Sequence, residues 1–215
     1  MELALARDEA ARVARAGWRH DEELTTERLD ARGESSGSTV TARRSVASDE
    51  PPGAAGSVGA GSGANPPPAN KGGDGDFRVT LDLRRLAGRF DLAREADEPS
   101  TDGERCYVIA FRPRAQPPAH ASREEKVIDQ LSGRFWLAQH DLSIVQSEGE
   151  LRQPVTVAWV ASVYRLDFRY RGRRLAGRAM TVVPARFILD LGVSAPLYHS
   201  RQRQTTVMTN YQPGS

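Results

Sequence analysis

Cysteine, lysine and histidine are scarce in this 215-residue chain, and long apolar runs are missing. Cys106 is the one cysteine, so neither a disulfide framework nor a cysteine metal site can form within the chain. A thiol nucleophile needs an exposed, electropositive setting, whereas "CYVIAF" reads as a buried strand, so Cys106 is expected in the core. Lys71 and Lys126 are the only lysines, and every other one of the 30 basic residues is arginine. A GC-rich genome produces such a bias, and so does selection for phosphate binding. Here the arginines are scattered and face 28 acids, unlike the single basic face of a nucleic-acid binder. No nucleic-acid partner is expected. No stretch approaches the roughly 18 apolar residues of a spanning helix, so no transmembrane segment is expected either. The start, "MELALARDEAARVARAG", carries Asp8 and Glu9 where a signal peptide needs an apolar core. That leaves a cytoplasmic protein, or a start internal to a longer precursor.

What is present divides the chain into four parts. Residues 1–17 place Leu3, Ala6, Ala10, Val13 and Ala14 at helical spacing, with Gly17 as the stop, which predicts an N-terminal helix. Residues 18–48 hold Thr25, Thr26, Thr39, Val40, Thr41 and Val46 around "ARGESSG", a polar β-hairpin at a sheet edge or on an exposed face. Residues 49–76 are rich in Gly, Ala, Pro and Ser and are expected to be disordered. Their "GAGSGA" superficially resembles a phosphate loop. It lacks the preceding apolar strand, the following helix and the Lys-Ser/Thr ending that a phosphate cradle requires. Residues 77–213 form the main domain.

That domain opens on Leu83, Leu86, Ala87 and Phe90, a short helical stripe with Asp82 as a possible cap. Strands then follow one another. "ERCYVIAFRPR" is apolar on both faces, as a central strand should be. In "VYRLDFRYR", Tyr164, Leu166, Phe168 and Tyr170 alternate with Arg165, Asp167, Arg169 and Arg171, giving one buried and one wet face. "MTVVPARFILDL" adds a strand in which Pro184 demands an edge or a bulge, and "RQRQTTVMTNY" reads as a last, exposed edge strand. Successive strands with short turns imply an antiparallel meander.

Catalytic templates fail one after another. His20, His120, His140 and His199 never stand at metal-ligand spacing, and no Gly-x-Ser-x-Gly elbow is present. His140-Asp141, within "GRFWLAQHDLSIVQSEGEL", is either a reactive pair or the solvent-exposed turn of a hairpin, and Asp favours the turn. No enzyme, metal or cofactor is expected. The aromatics suggest another use. Phe135, Trp136, Trp159, Tyr164, Phe168, Tyr170, Phe187 and Tyr198 fall on successive strands, where they either fill an ordinary β-core or line an apolar pocket, whose candidate lining is Phe135, Trp136, Trp159, Leu166, Phe168 and Phe187.

The runs "CYVIAFRPR", "GRFWLAQHDLSIVQSEGEL" and "VYRLDFRYR" resemble the outer-membrane lipoprotein-sorting (LolA/LolB-like) superfamily. Phe111 and Pro113 match its first strand ending, Gly133, Phe135 and Trp136 its second strand, and Asp141, Ile144, Val145 and Glu148 the turn and strand after it. The chain departs from the pattern at Ala138, where an acid is usual. The resemblance implies a mainly β fold, a curved antiparallel sheet forming a half-open barrel with a few short helices on its concave side. It further implies a periplasmic or cell-envelope protein, without enzymatic activity, that binds lipid or lipoprotein acyl chains in an apolar cavity. The alternative is an envelope scaffold or sensor that takes a protein partner at a sheet edge or groove.

Overall fold

The computed structural model describes residues 18–47, 88–120, 122–157, 161–175 and 178–213. The N-terminal helix, the segment 49–76, the helical stripe at Leu83, Leu86 and Ala87, and Trp159 lie outside them.

Among the described residues eleven strands form one antiparallel sheet. They are β1 (Arg19–Leu29), β2 (Ser35–Ala47), β3 (Phe90–Arg94), β4 (Glu98–Pro99), β5 (Arg105–Pro113), β6 (Leu131–Ala138), β7 (Ile144–Leu151), β8 (Val155–Thr156), β9 (Ser162–Leu175), β10 (Arg178–Ala195) and β11 (Tyr198–Gln212). Their order is β2-β1-β11-β10-β9-β7-β6-β5-β3, with β4 added to β5 and β8 to β9. From β3 to β11 sequence neighbours are space neighbours, the expected meander. The path ends at β2 and β3, so the sheet is open and not a closed barrel.

One sequence expectation fails here. β11 is not an edge, because β1 pairs along it from Arg19↔Gln212 to Arg28↔Gln202. The polar N-terminal hairpin returns to cover the last strand, and β2 becomes the edge. Such non-local pairing leaves no trace in local alternation. Phe90, assigned above to a helical stripe, instead begins β3.

The two faces differ. On one, Phe90, Phe111, Val127, Leu131, Phe135, Val163, Leu166, Phe168 and Leu189 form the main core. The helix α1 (Arg123–Ile128), capped by Ser122, brings Val127 into that cluster. Where a few short helices were expected, α1 is the one helix among the described residues. Gly133 and Gly149 stand opposite each other under this layer. A Cβ at Gly133 would lie 2.0 Å from the Glu148 carbonyl oxygen, and one at Gly149 2.5 Å from the Phe168 ring, so only glycine lets the rings settle on the backbone. On the opposite face, Cys106, Val108, Trp136, Ala138, Val145 and Val182 form a second cluster.

Tyr164 also departs from expectation, being 37% exposed. The register slips between Gly192↔Arg165 and Val193↔Val163, which leaves Tyr164 as the extra residue of a bulge while Val163 turns into the core. Pro184 sits beside another slip, opposite Gly172, where the ladder is already interrupted.

Candidate functional site

The aromatic set does not converge on an open cavity. Phe135, Leu166 and Phe168 are at most 5% exposed and packed together, and Phe187 lies against them with its ring 6.5 Å from that of Phe168. Trp136 follows Phe135 in a strand and so points to the other face, where the Arg134 guanidinium lies 5.3 Å from its ring centre. Among the described members of the set, Phe135, Leu166 and Phe168 are core residues with Phe187 packed against them, and Trp136 belongs to the second cluster.

Open space lies mostly across the sheet from that core, with Phe168 the core residue that also lines it. A depression of about 970 Å³ takes its lining from β1, β11, β10, β9, β7 and β6, and from the β1–β2 turn. That lining is polar and charged. It includes seven arginines, Arg32, Arg134, Arg165, Arg169, Arg186, Arg201 and Arg203, against five carboxylates, Glu27, Glu148, Glu150, Asp167 and Asp190. The turn closes one side through Gly33, whose φ of 87° and nearness to Arg201 (2.7 Å from a hypothetical Cβ to Nη1) suit glycine alone.

Registry sorts these charges into rows. One row runs Glu27, Arg203, Asp190, Asp167, Glu150, each opposite the next. Its acids are largely answered. Arg203 donates through Nε and Nη2 to the two Asp190 oxygens at 2.7 and 2.9 Å, and Arg165 meets Asp167 at 2.5 Å. Burial pushes the Asp190 carboxyl up, but the hydrogen bonds and charge of Arg203 outweigh it and hold the pKa below its ordinary value. The next row runs Ile188, Arg169, Glu148, Arg134, with Arg134 bonded to Glu148 at 3.2 Å. In the third, Arg186 stands directly opposite Arg171, and Gln146 follows.

A separate cluster surrounds His140-Asp141. Arg174 bridges Glu104 and Asp141 at 2.8 and 2.9 Å, and the half-exposed His140 ring lies 3.3 Å from Glu104 and 3.6 Å from Asp141. The pair is a turn, as expected. It is not wholly exposed, because Asp141 is buried at 5%. Burial raises its pKa, but Arg174 and the Ser143 amide lower it by more, so the net shift is downward. The Cys106 thiol is pushed up by burial, away from nucleophilic thiolate character. Among the described residues no group of three or more His, Cys, Asp or Glu is arranged to hold a metal. No described helix is long and apolar enough to cross a membrane.

No family model and no curated protein matches the sequence. One solved structure, the complex structure of Pseudomonas aeruginosa MucA/MucB, is similar at 11% identity and a TM-score of 0.31, covering 99% of both chains. A likeness that distant carries no argument for fold or function.

Sequence reading offered Phe135, Leu166 and Phe168, which lie in the core cluster, as pocket-lining candidates, and missed the charged depression. The signal was present in β9, where Arg165, Asp167, Arg169 and Arg171 make the outward set. Which neighbours answer those charges depends on strand register, which is not legible locally.

Proposed function

We propose that this chain is a non-enzymatic binding protein of the bacterial cell envelope that holds a polypeptide segment of a protein partner in the charged depression. The observation that carries the reading is the lining: open, polar, and spread over six adjacent strands and a turn. An acyl chain gains affinity from apolar burial, about 0.8 kcal/mol per CH₂, and this lining has little to give it. An extended peptide instead gains from hydrogen bonds and charge pairs along a groove. The envelope address rests on the resemblance to the lipoprotein-sorting superfamily. The absence of catalysis is supported by the His140 cluster, whose two carboxylates are both bound by Arg174 and serve to join three chain segments.

The test is a titration of the full chain, followed by amide NMR shifts, with unstructured peptides of acidic, neutral and basic composition, and in parallel with a fluorescent fatty-acyl probe. Peptide-induced shifts at Thr205, Ile188 and Glu148 are expected, with no acyl saturation. An acyl probe that saturates and shifts Phe135, Leu166 and Phe168, with no peptide bound, would return the chain to the carrier reading.

A further inference from the structure

On β9 and β10 three arginines in and beside the depression are left unanswered, as is Arg32 in the β1–β2 turn. Arg169, Arg171 and Arg186 are exposed and make no ion pair or hydrogen bond with any described residue, whereas Arg134, Arg165, Arg201 and Arg203 each face an acid. Arg171 and Arg186 are also direct cross-strand partners, with Arg169 two residues further along β9 on the same face. Like charges placed opposite each other destabilise a sheet. Neighbouring strands lie about 4.8 Å apart, and two residues along a strand span about 6.7 Å, so the three stems emerge from a patch smaller than the reach of their side chains. Folding gains nothing from this crowding. An anion gains three donors.

We infer that Arg169, Arg171 and Arg186 form the docking site for an acidic polypeptide segment carrying carboxylates at alternate positions. The inference rests on the groove reading above and names the chemistry of its occupant. A strand-like segment repeats its side chains on one face every two residues, the same spacing as Arg169 and Arg171. Guanidinium matches carboxylate in a two-pronged geometry. A uniform polyanion, whether a nucleic acid or an anionic membrane, fits less well. One row beyond Arg169 lies the exposed Glu150, which no described arginine pairs, and a continuous negative surface laid on the arginines would run onto it. A peptide places its acids on the arginines and neutral or basic residues on that row.

The experiment titrates the full chain with a short peptide of alternating Asp and Thr, its Asn-for-Asp counterpart, inorganic phosphate, and vesicles of equal phosphatidylglycerol and phosphatidylcholine. The expected result is saturable binding of the Asp peptide alone, weakening as salt rises. Arg171→Gln and Arg186→Gln should each cost about tenfold in affinity, the scale of one lost charge-assisted hydrogen bond. The same variants should leave the thermal midpoint unchanged or raised, because they relieve the Arg–Arg contact, and Arg152→Gln, outside the depression, should leave binding intact. Equal binding of phosphate or vesicles would overturn the inference in favour of a general anion site. Peptides that bind the depression without regard to Arg171 and Arg186, or to their own acids, would overturn it while leaving the groove reading in place. Failure of every peptide would remove both.

Discussion

Arg89 shows what one residue can hold. It is 7% exposed and donates to Asp129 at 2.8 and 3.0 Å, to Glu125 at 2.7 Å, and to the carbonyls of Pro118 and Ala119. His120 lies 2.7 Å from the same Asp129 carboxylate. These contacts fasten α1 and the segment before it to the start of β3. Arg89→Met keeps the stem but leaves Asp129, 3% exposed, without its guanidinium, a change that typically costs about 3–5 kcal/mol. Urea denaturation should show the loss, and a change below about 1 kcal/mol would contradict the fastening role. Glu22, Asp141 and Asp190 make a different prediction. Burial raises each carboxyl, and hydrogen bonds from His20 and Arg44, from Arg174 and Ser143, and from Arg203 outweigh it, so all three pKa values are lowered. A folded pKa below the unfolded one means that folding favours the charged form. The stability this supplies is complete above the ordinary carboxylate range, about 4, and drains away as pH falls through the lowered values. Asp141→Asn should therefore flatten the acid limb of stability against pH, measured by urea midpoints. An unchanged limb would show that Asp141 is not a contributor.

At the level of elements, the strands with strong local signals were the ones legible in sequence. β5 reads as central from its two apolar faces, and it pairs with β6 on one side and β3 and β4 on the other. β9 reads as half-wet from its alternation, and Leu166 and Phe168 are indeed buried while Arg165 and Arg169 are exposed. The failures have one cause, which is that partners far along the chain change what a local pattern means. Tyr164 obeys the alternation and is turned outward by a bulge whose other half is on β10. β11 looks like an edge because Arg201, Gln202, Arg203 and Gln204 are polar on both faces, yet it is enclosed. Its polar side chains are accommodated by β1 and β10, as when Arg203 reaches Asp190 and Arg201 approaches it at 3.7 Å. Hydrogen exchange separates the two views. Amides of β11 between Gln202 and Met208 should be protected and those of β2 on its open side should exchange quickly. Fast exchange throughout β11 would show that the hairpin does not cover it.

The whole molecule joins residues near its two ends, because β1 and β11 pair from Asp21↔Thr209 to Arg28↔Gln202. The other neighbouring pairs from β3 onward are joined by links far shorter than that, the longest being the segment between β5 and β6 that carries α1, so the meander can assemble progressively. The closing of β1 on β11 must instead gather nearly the whole chain, at an entropic cost that grows slowly with loop length but has to be met before the contact returns anything. The N-terminal hairpin should therefore dock late, on a meander that is already formed. The same step completes one wall of the charged depression, since Thr25, Glu27 and the turn at Arg32 and Gly33 come from that hairpin. Binding and late folding thus share an element, and a partner held in the depression would stabilise the docked hairpin. Leu29→Ala, at a position 6% exposed in β1 and opposite Ser35 of β2, removes packing of the N-terminal hairpin, whereas Val108→Ala, 0% exposed in β5, removes packing within the meander. Both should destabilise, by about 2–5 kcal/mol for the leucine and less for the valine. Their kinetics should differ. Leu29→Ala should mainly speed unfolding and leave the folding rate nearly unchanged, and Val108→Ala should slow folding. Stopped-flow folding and unfolding limbs in urea give both rates, and a folding rate reduced by Leu29→Ala in proportion to the stability lost would place the hairpin in the nucleus and refute the late-docking order.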